Sequence, residues 1–151
     1  MIDVELIKQL REQTGAGVMD AKSALEETNG NIDAAVKIIS EKGLAKTAKR
    51  ADRETKCGRI ETYVHGNGSV GVILELNCET SFVANTDEYK SLAHEIALQI
   101  ASMQPENVDA LLTQPYIRDP KTTIGDLIKG LIAKTGENIA PARFSRFALG
   151  E

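Results

Sequence analysis

The sequence predicts an α+β chain: a three-helix N-terminal module, a helical linker, then a small antiparallel sheet packed with helices in the order β-β-α-α-β. Three observations carry this. Apolar residues recur at helical spacing through residues 1–43, the period drops to two after Cys57, and a helical period then returns before a last alternating run near the C-terminus. Strands gathered into one sheet with helices on one face satisfy that order. The predicted units are residues 1–43 (helical module), 44–56 (basic helical linker) and 57–151 (α+β core).

In the first helix Val4, Leu6, Ile7 and Leu10 recur at helical spacing, and TGAG closes it, because glycine accepts the left-handed backbone of a helix stop. The second runs from Val18 and Met19 through Ala21, Ala24 and Leu25 to the Asn29-Gly30 turn. The third takes Asn31 as N-cap, Ile32, Ala35, Val36 and Ile39 as its stripe, and Gly43 as its stop. Residues 44–56, LAKTAKRADRETK, are rich in helix formers but lack an apolar stripe wide enough to bury, so they read as a solvated connector. Its basic residues also allow an RNA or acidic-protein contact, which the absence of interleaved aromatics weakens for RNA.

RIETYVH alternates Ile60, Thr62 and Val64 against Glu61, Tyr63 and His65, and HGNGS returns the chain into VGVILEL, so a β-hairpin is expected. An amphipathic helix follows over residues 87–103, with Tyr89, Leu92, Ala93, Ile96, Ile100 and Met103 on one face and Thr86 or Asn85 as cap. Pro105, Pro115 and Pro120 leave room only for a short helix, NVDALL. A second helix over residues 123–134 points Ile124, Leu127, Ile128, Leu131 and Ile132 inward and ends at Gly136. In the final strand Phe147 and Leu149 share a face opposite Phe144, and Pro141 confines it to a sheet edge or to a start beyond the proline.

Composition narrows the function classes. With 42% hydrophobic and 26% charged residues the chain is globular in type. No apolar run approaches the ~18 residues of a membrane span, and MIDVELIKQL lacks the basic start and apolar stretch of a signal peptide. A cytoplasmic protein with no membrane partner is expected. The net charge of -4 argues against nucleic acid as a direct partner. Cys57 and Cys78 read as reduced structural thiols, and His65 as a turn histidine. No nucleotide-binding glycine loop, Ser/His/Asp arrangement or zinc pattern is present, so no catalytic residue, metal ligand or cofactor is expected.

One stretch is unusual for a turn and admits two readings. After VGVILEL the chain enters NCETSFVANTDEY, where Thr80 can cap a helical turn of Ser81, Phe82, Val83 and Ala84. Either Phe82 and Val83 both fold under as a hydrophobic staple, or Phe82 faces outward as an interface anchor of the aromatic kind favoured in hot spots.

Three blocks in order resemble the elongation factor Ts family: LIKQLREQTGAGVMDAKSALEETNGNIDAAVKIISEKG, VGVILELNCETSFVANTDEY and KTGENIAPARFSRFALGE, with ADRET between the first two. Residues 104–122 lack a match, and the chain looks shortened there. The resemblance implies an N-terminal module similar to ubiquitin-associated domains. It also implies a guanine-nucleotide exchange factor, without covalent chemistry of its own, acting on elongation factor Tu. In the family a Thr-Asp-Phe-Val motif enters beside the partner's nucleotide site and dislodges its magnesium ion; here the matching residues are Thr80, Ser81, Phe82 and Val83, with serine in the place of aspartate. Further partner contacts are implied for Arg11, Val18 and Met19 and for the turn Thr135, Gly136, Glu137 and Asn138. Whether the shortened core acts alone or as a homodimer stays open. Two other classes compete: an RNA-binding adaptor using the basic linker, and a peptide-binding module built on the three helices.

Overall fold

Asp3 accepts a hydrogen bond from the Glu5 amide at 3.0 Å and so starts the first helix, α1 (Val4–Thr14), while Gly15 ends it at φ 69°. The computed structural model describes the backbone of residues 1–151 and all side chains except those of Leu44, Lys46 and Thr47. It divides into two units, Met1–Lys49 and Arg50–Glu151.

In the first unit α1, α2 (Val18–Glu27) and α3 (Ile32–Arg50) share a core of Leu10, Ala21, Ala24, Leu25 and Ala35. Small residues on α2 and α3 suit close helix approach, and Leu6, Ile7, Ile32, Val36 and Ile39 pack around them. Val4, expected in the α1 stripe, is instead 77% exposed in the first turn, where a helix end has fewer neighbours. Asn31 caps α3 as expected, accepting from the Ala34 amide at 3.0 Å.

Gly43 does not stop α3. It is absent from the positive-φ residues, and the helix runs on to Arg50. Glycine costs a helix only about 1 kcal/mol relative to alanine, and the Leu, Ala, Lys and Arg residues after it are among the best helix formers, so propagation continues. Half of the expected linker is therefore the end of α3. Of its basic side chains, that of Lys46 lies outside the described residues.

The second unit is built on a three-stranded antiparallel sheet in the order β1 (Cys57–His65), β2 (Val70–Cys78), β5 (Ile139–Ala148). The even-numbered residues of β2, Val72 to Cys78, face the core. They pack against Tyr89, Leu92, Ala93, Ile96, Ala97 and Ile100 of α5 (Asp87–Met103), and Ile124, Ile128, Leu131 and Ile132 of α7 (Ile124–Thr135) join the same core. Met103, expected on the buried face of α5, is 46% exposed at the helix end. A capping box between Thr123 and Asp126 starts α7, and Gly136 at φ 75° ends it. β5 lies at the sheet edge, where Pro141 faces Leu76 beside a register shift and removes no ladder bond from a central strand.

Between α5 and α7 the chain forms α6 (Val108–Thr113) and a two-stranded hairpin, β3 (Pro115–Tyr116) with β4 (Asp119–Thr123). That hairpin was not expected, because its prolines mask the strand pattern. It is held by buried Gln99, whose amide nitrogen donates to the Pro115 carbonyl at 3.0 Å and whose oxygen accepts from the Ile117 amide at 3.1 Å. Burial and the neighbouring Glu95 carboxylate push the Tyr116 phenol up to about 12. No helix among the described residues is long and apolar enough to cross a membrane.

Gly58 is the position where glycine is required most strictly. Its φ is 154°, and an added Cβ would lie 2.3 Å from the Leu76 carbonyl oxygen. Gly58→Ala should destabilise the second unit by about 2–3 kcal/mol, read as a lowered thermal midpoint; an unchanged midpoint would contradict this account of the β1 entry.

Candidate functional site

The stretch after β2 forms a short helix, α4 (Ser81–Ala84), secured at both ends. At its start Thr80 has extended backbone angles, and its hydroxyl accepts from the Val83 amide at 3.5 Å. At its end the Asn85 side chain donates to the Ser81 carbonyl at 2.9 Å, and the Thr86 hydroxyl donates to the Val83 carbonyl at 2.8 Å. Thr86 then caps α5 through the Tyr89 amide at 3.2 Å, so the reversal from strand to long helix is made by side-chain caps rather than glycines.

A four-residue helix has little stability of its own, and long-range bonds hold this one. The Thr80 amide donates to one oxygen of Glu137 at 2.9 Å, and the Thr80 hydroxyl donates to the other at 2.6 Å. The neighbouring Glu79 carboxylate accepts from the Asn138 amide at 2.8 Å and lies 3.8 Å from Arg53. Asn138, 7% exposed, donates its side-chain amide to the carbonyls of Ala51 (3.3 Å) and Arg53 (2.8 Å). Arg50 and Arg53 donate to the Ile132 and Gly136 carbonyls, at 3.3 and 3.4 Å. Three segments distant in sequence thus close into one polar frame around the root of α4.

On this frame the two apolar residues of α4 part company. Val83 is half-buried against the core and Ala84 is buried, whereas Phe82 is 86% exposed and Ser81 stands exposed beside it. Successive helical residues lie about 100° apart, so a helix that buries Val83 and Ala84 turns Phe82 outward. The staple alternative therefore holds for Val83 only. Beneath the helix, the Cys78 thiol donates to the Thr80 carbonyl at 3.1 Å, and the Tyr89 hydroxyl donates to the Leu76 carbonyl. Burial is the main cause raising both the Cys78 thiol and the Tyr89 phenol above their ordinary ranges, so both stay protonated near neutrality.

The structure thus brings Thr80–Val83 together with Glu137 and Asn138, but uses the last two internally, as supports. Glu79 and Arg53 belong to the same frame; sequence reasoning missed both, and their only signal was their place in the NCETSF and ADRET blocks. In the first unit Arg11, Val18 and Met19 lie at the α1–α2 junction. Arg11 donates to the Ala16 carbonyl at 3.2 Å, and Val18 and Met19 are 50% and 75% exposed, which leaves Met19 outside the core. Among the described residues no three His, Cys, Asp or Glu side chains are grouped to hold a metal ion.

The family model described as Elongation factor TS matches residues 4–110 and 79–151. The chain is 42% identical to Elongation factor Ts of Carboxydothermus hydrogenoformans, over all of this chain and 90% of that one. It is 43% identical to Elongation factor Ts of Coprothermobacter proteolyticus, over 99% of both chains. Against Elongation factor Ts of Thermotoga maritima it is 44% identical, over 99% of this chain and 97% of the other. The alignment with the Carboxydothermus protein spans 196 positions against 151 residues here, so that relative carries sequence this chain lacks. With the family model covering nearly its whole length, the chain belongs to the elongation factor Ts family.

Proposed function

We propose that this elongation factor is a cytoplasmic guanine-nucleotide exchange factor for elongation factor Tu. It binds the GDP complex, inserts the Thr80–Val83 segment beside the nucleotide site, disturbs the magnesium ion there, and so promotes GDP release and GTP loading. The observation that carries this reading is Phe82: 86% exposed, on a helix capped at both ends and tied to the fold through Glu137. An exposed aromatic on a rigid support meets the requirements of an interface anchor, since little conformational entropy remains to be lost on docking.

No covalent step is needed. Magnesium demands near-ideal octahedral coordination between phosphate and protein oxygens, so a wedge that shifts the surrounding loops weakens nucleotide binding. By linkage the nucleotide weakens binding of the wedge to the same degree, and reloading with GTP releases the factor. Arg11, Val18 and Met19 supply a second contact from the helical module, and the Thr135–Asn138 turn a third beside α4, which its Glu137 also holds through Thr80.

Size-exclusion chromatography with nucleotide-free elongation factor Tu tests the reading. The two should co-elute, and GDP with magnesium should separate them; a complex indifferent to both would overturn the exchange mechanism. We further propose that a second copy of this chain is a partner. The sheet face away from the helices exposes Ile60, Val64, Ile73 and Phe147, between 48% and 77%, with Glu75 and Arg143 3.2 Å apart beside them. Sedimentation should show a concentration-dependent dimer that Ile73→Lys disperses, and a monomer at all concentrations would remove this partner.

A further inference from the structure

Cys57 and Cys78 lie directly opposite each other in the antiparallel pair of β1 and β2. Opposed residues in such a ladder have Cα atoms about 4.5 or 5.5 Å apart, according to the hydrogen-bonding type of the pair. Both values fall within the range of about 4.4–6.8 Å that a disulfide spans. Opposed side chains also share a face, and here it is the core face: Cys78 is fully buried in the cluster against which Cys57 packs. The two differ in access, since Cys57 begins an edge strand and is only half-buried. They differ in connection as well, because the Cys78 thiol is hydrogen-bonded to Thr80, the residue that caps α4.

We propose that Cys57 and Cys78 form a modification site, joined as a reversible cross-strand disulfide by a low-molecular-weight disulfide such as oxidised glutathione, and that the bond loosens the hold on Thr80. The accessible Cys57 loses its proton and attacks one sulfur of the oxidant, expelling one glutathione thiolate and leaving a mixed disulfide. Cys78 then loses its proton and attacks the Cys57 sulfur, expelling the second glutathione. Two protein thiols are oxidised to one disulfide, and one glutathione disulfide is reduced to two thiols. The Cys78 sulfur no longer carries a hydrogen, so the Thr80 carbonyl loses that donor and keeps the Ala84 amide, 3.3 Å away. Dithiothreitol reverses each step.

The effect on nucleotide exchange rests on the function proposed above, whereas the bridge and its effect on α4 do not, and the experiment separates them. The full chain is incubated with oxidised glutathione, and its thiols and intact mass are measured under non-reducing denaturation. Expected are loss of both thiols, a mass lower by two hydrogens and a single-chain product. A persistent glutathione adduct on Cys57, or a disulfide between chains, would overturn the bridge. Amide hydrogen exchange at Ala84 should then quicken several-fold in the oxidised chain and recover with dithiothreitol, while Cys57→Ser shows no response to the oxidant. A bridge that forms with Ala84 exchange unchanged would overturn the coupling to α4. GDP release from elongation factor Tu should slow several-fold in parallel. If Ala84 responds as expected but even the reduced chain does not accelerate release, the exchange-factor reading fails and the redox site stands.

Discussion

Phe82→Ala should lower stimulated GDP release from elongation factor Tu by about two orders of magnitude, measured by stopped flow with a fluorescent GDP analogue. Truncating an aromatic anchor costs an interface about 2–4 kcal/mol, and each 1.4 kcal/mol is about tenfold. The same substitution should leave the thermal midpoint nearly unchanged, because a side chain that is 86% exposed contributes little to the core. This combination distinguishes an interface residue from a structural one. A variant that released GDP at the wild-type rate would sink the wedge assignment. Ser81 supplies the companion test. It is exposed at the first position of α4, so Ser81→Asp fits without rearrangement and adds a carboxylate at a helix N-terminus. If Phe82 supplies most of the wedge, restoring this charge should change the release rate by less than about threefold, well below one hot-spot contact.

The second large effect should come from a residue that stands behind the wedge. Glu137→Ala removes both acceptors of Thr80, at 2.9 and 2.6 Å, and leaves a half-buried amide and hydroxyl to find other partners. Hydrogen bonds to a charged group contribute about 1.5–3 kcal/mol each. Since water replaces part of the loss at a half-buried site, about 2 kcal/mol of stability should go. Stimulated release should fall more than that loss alone explains, by about tenfold or more, because α4 then samples orientations in which Phe82 is misplaced. Glu137→Gln keeps one acceptor oxygen and should fall between the two. The check is to compare release rates at a temperature where both variants remain folded. A destabilised Glu137→Ala with wild-type exchange would show that the frame serves the fold and not the wedge.

These supports were only partly legible beforehand. Thr80 as a cap, Asn31 as the α3 cap, Gly136 as the end of α7 and the edge position of β5 all come from short-range rules, because caps, stops and proline effects act within one turn or one ladder bond. The β3–β4 hairpin escaped for the opposite reason. Its prolines read as breaks, and what holds it is Gln99, a polar residue on the buried side of a helix more than ten positions earlier. Gly43 misled because a glycine costs a helix only about 1 kcal/mol relative to alanine, too little to stop one that continues into a run of good helix formers such as LAKTAKR.

For this protein the order of helices and strands outside the β3–β4 hairpin, and the family to which its motifs belong, were legible in the sequence alone, since periodicity and capping are properties of neighbouring residues. The orientation of Phe82 was not. Periodicity allowed either an inward staple or an outward anchor, and the choice was made by long-range contacts: Val83 and Ala84 packed on the sheet, and Thr80 held by a carboxylate 57 positions away. Tertiary structure also brought the Glu137 carboxylate to Thr80 and the Asn138 amide to Glu79. A carboxylate or amide looks the same in a sequence whether it faces a partner or its own backbone, and only the fold decides which donors and acceptors come within reach.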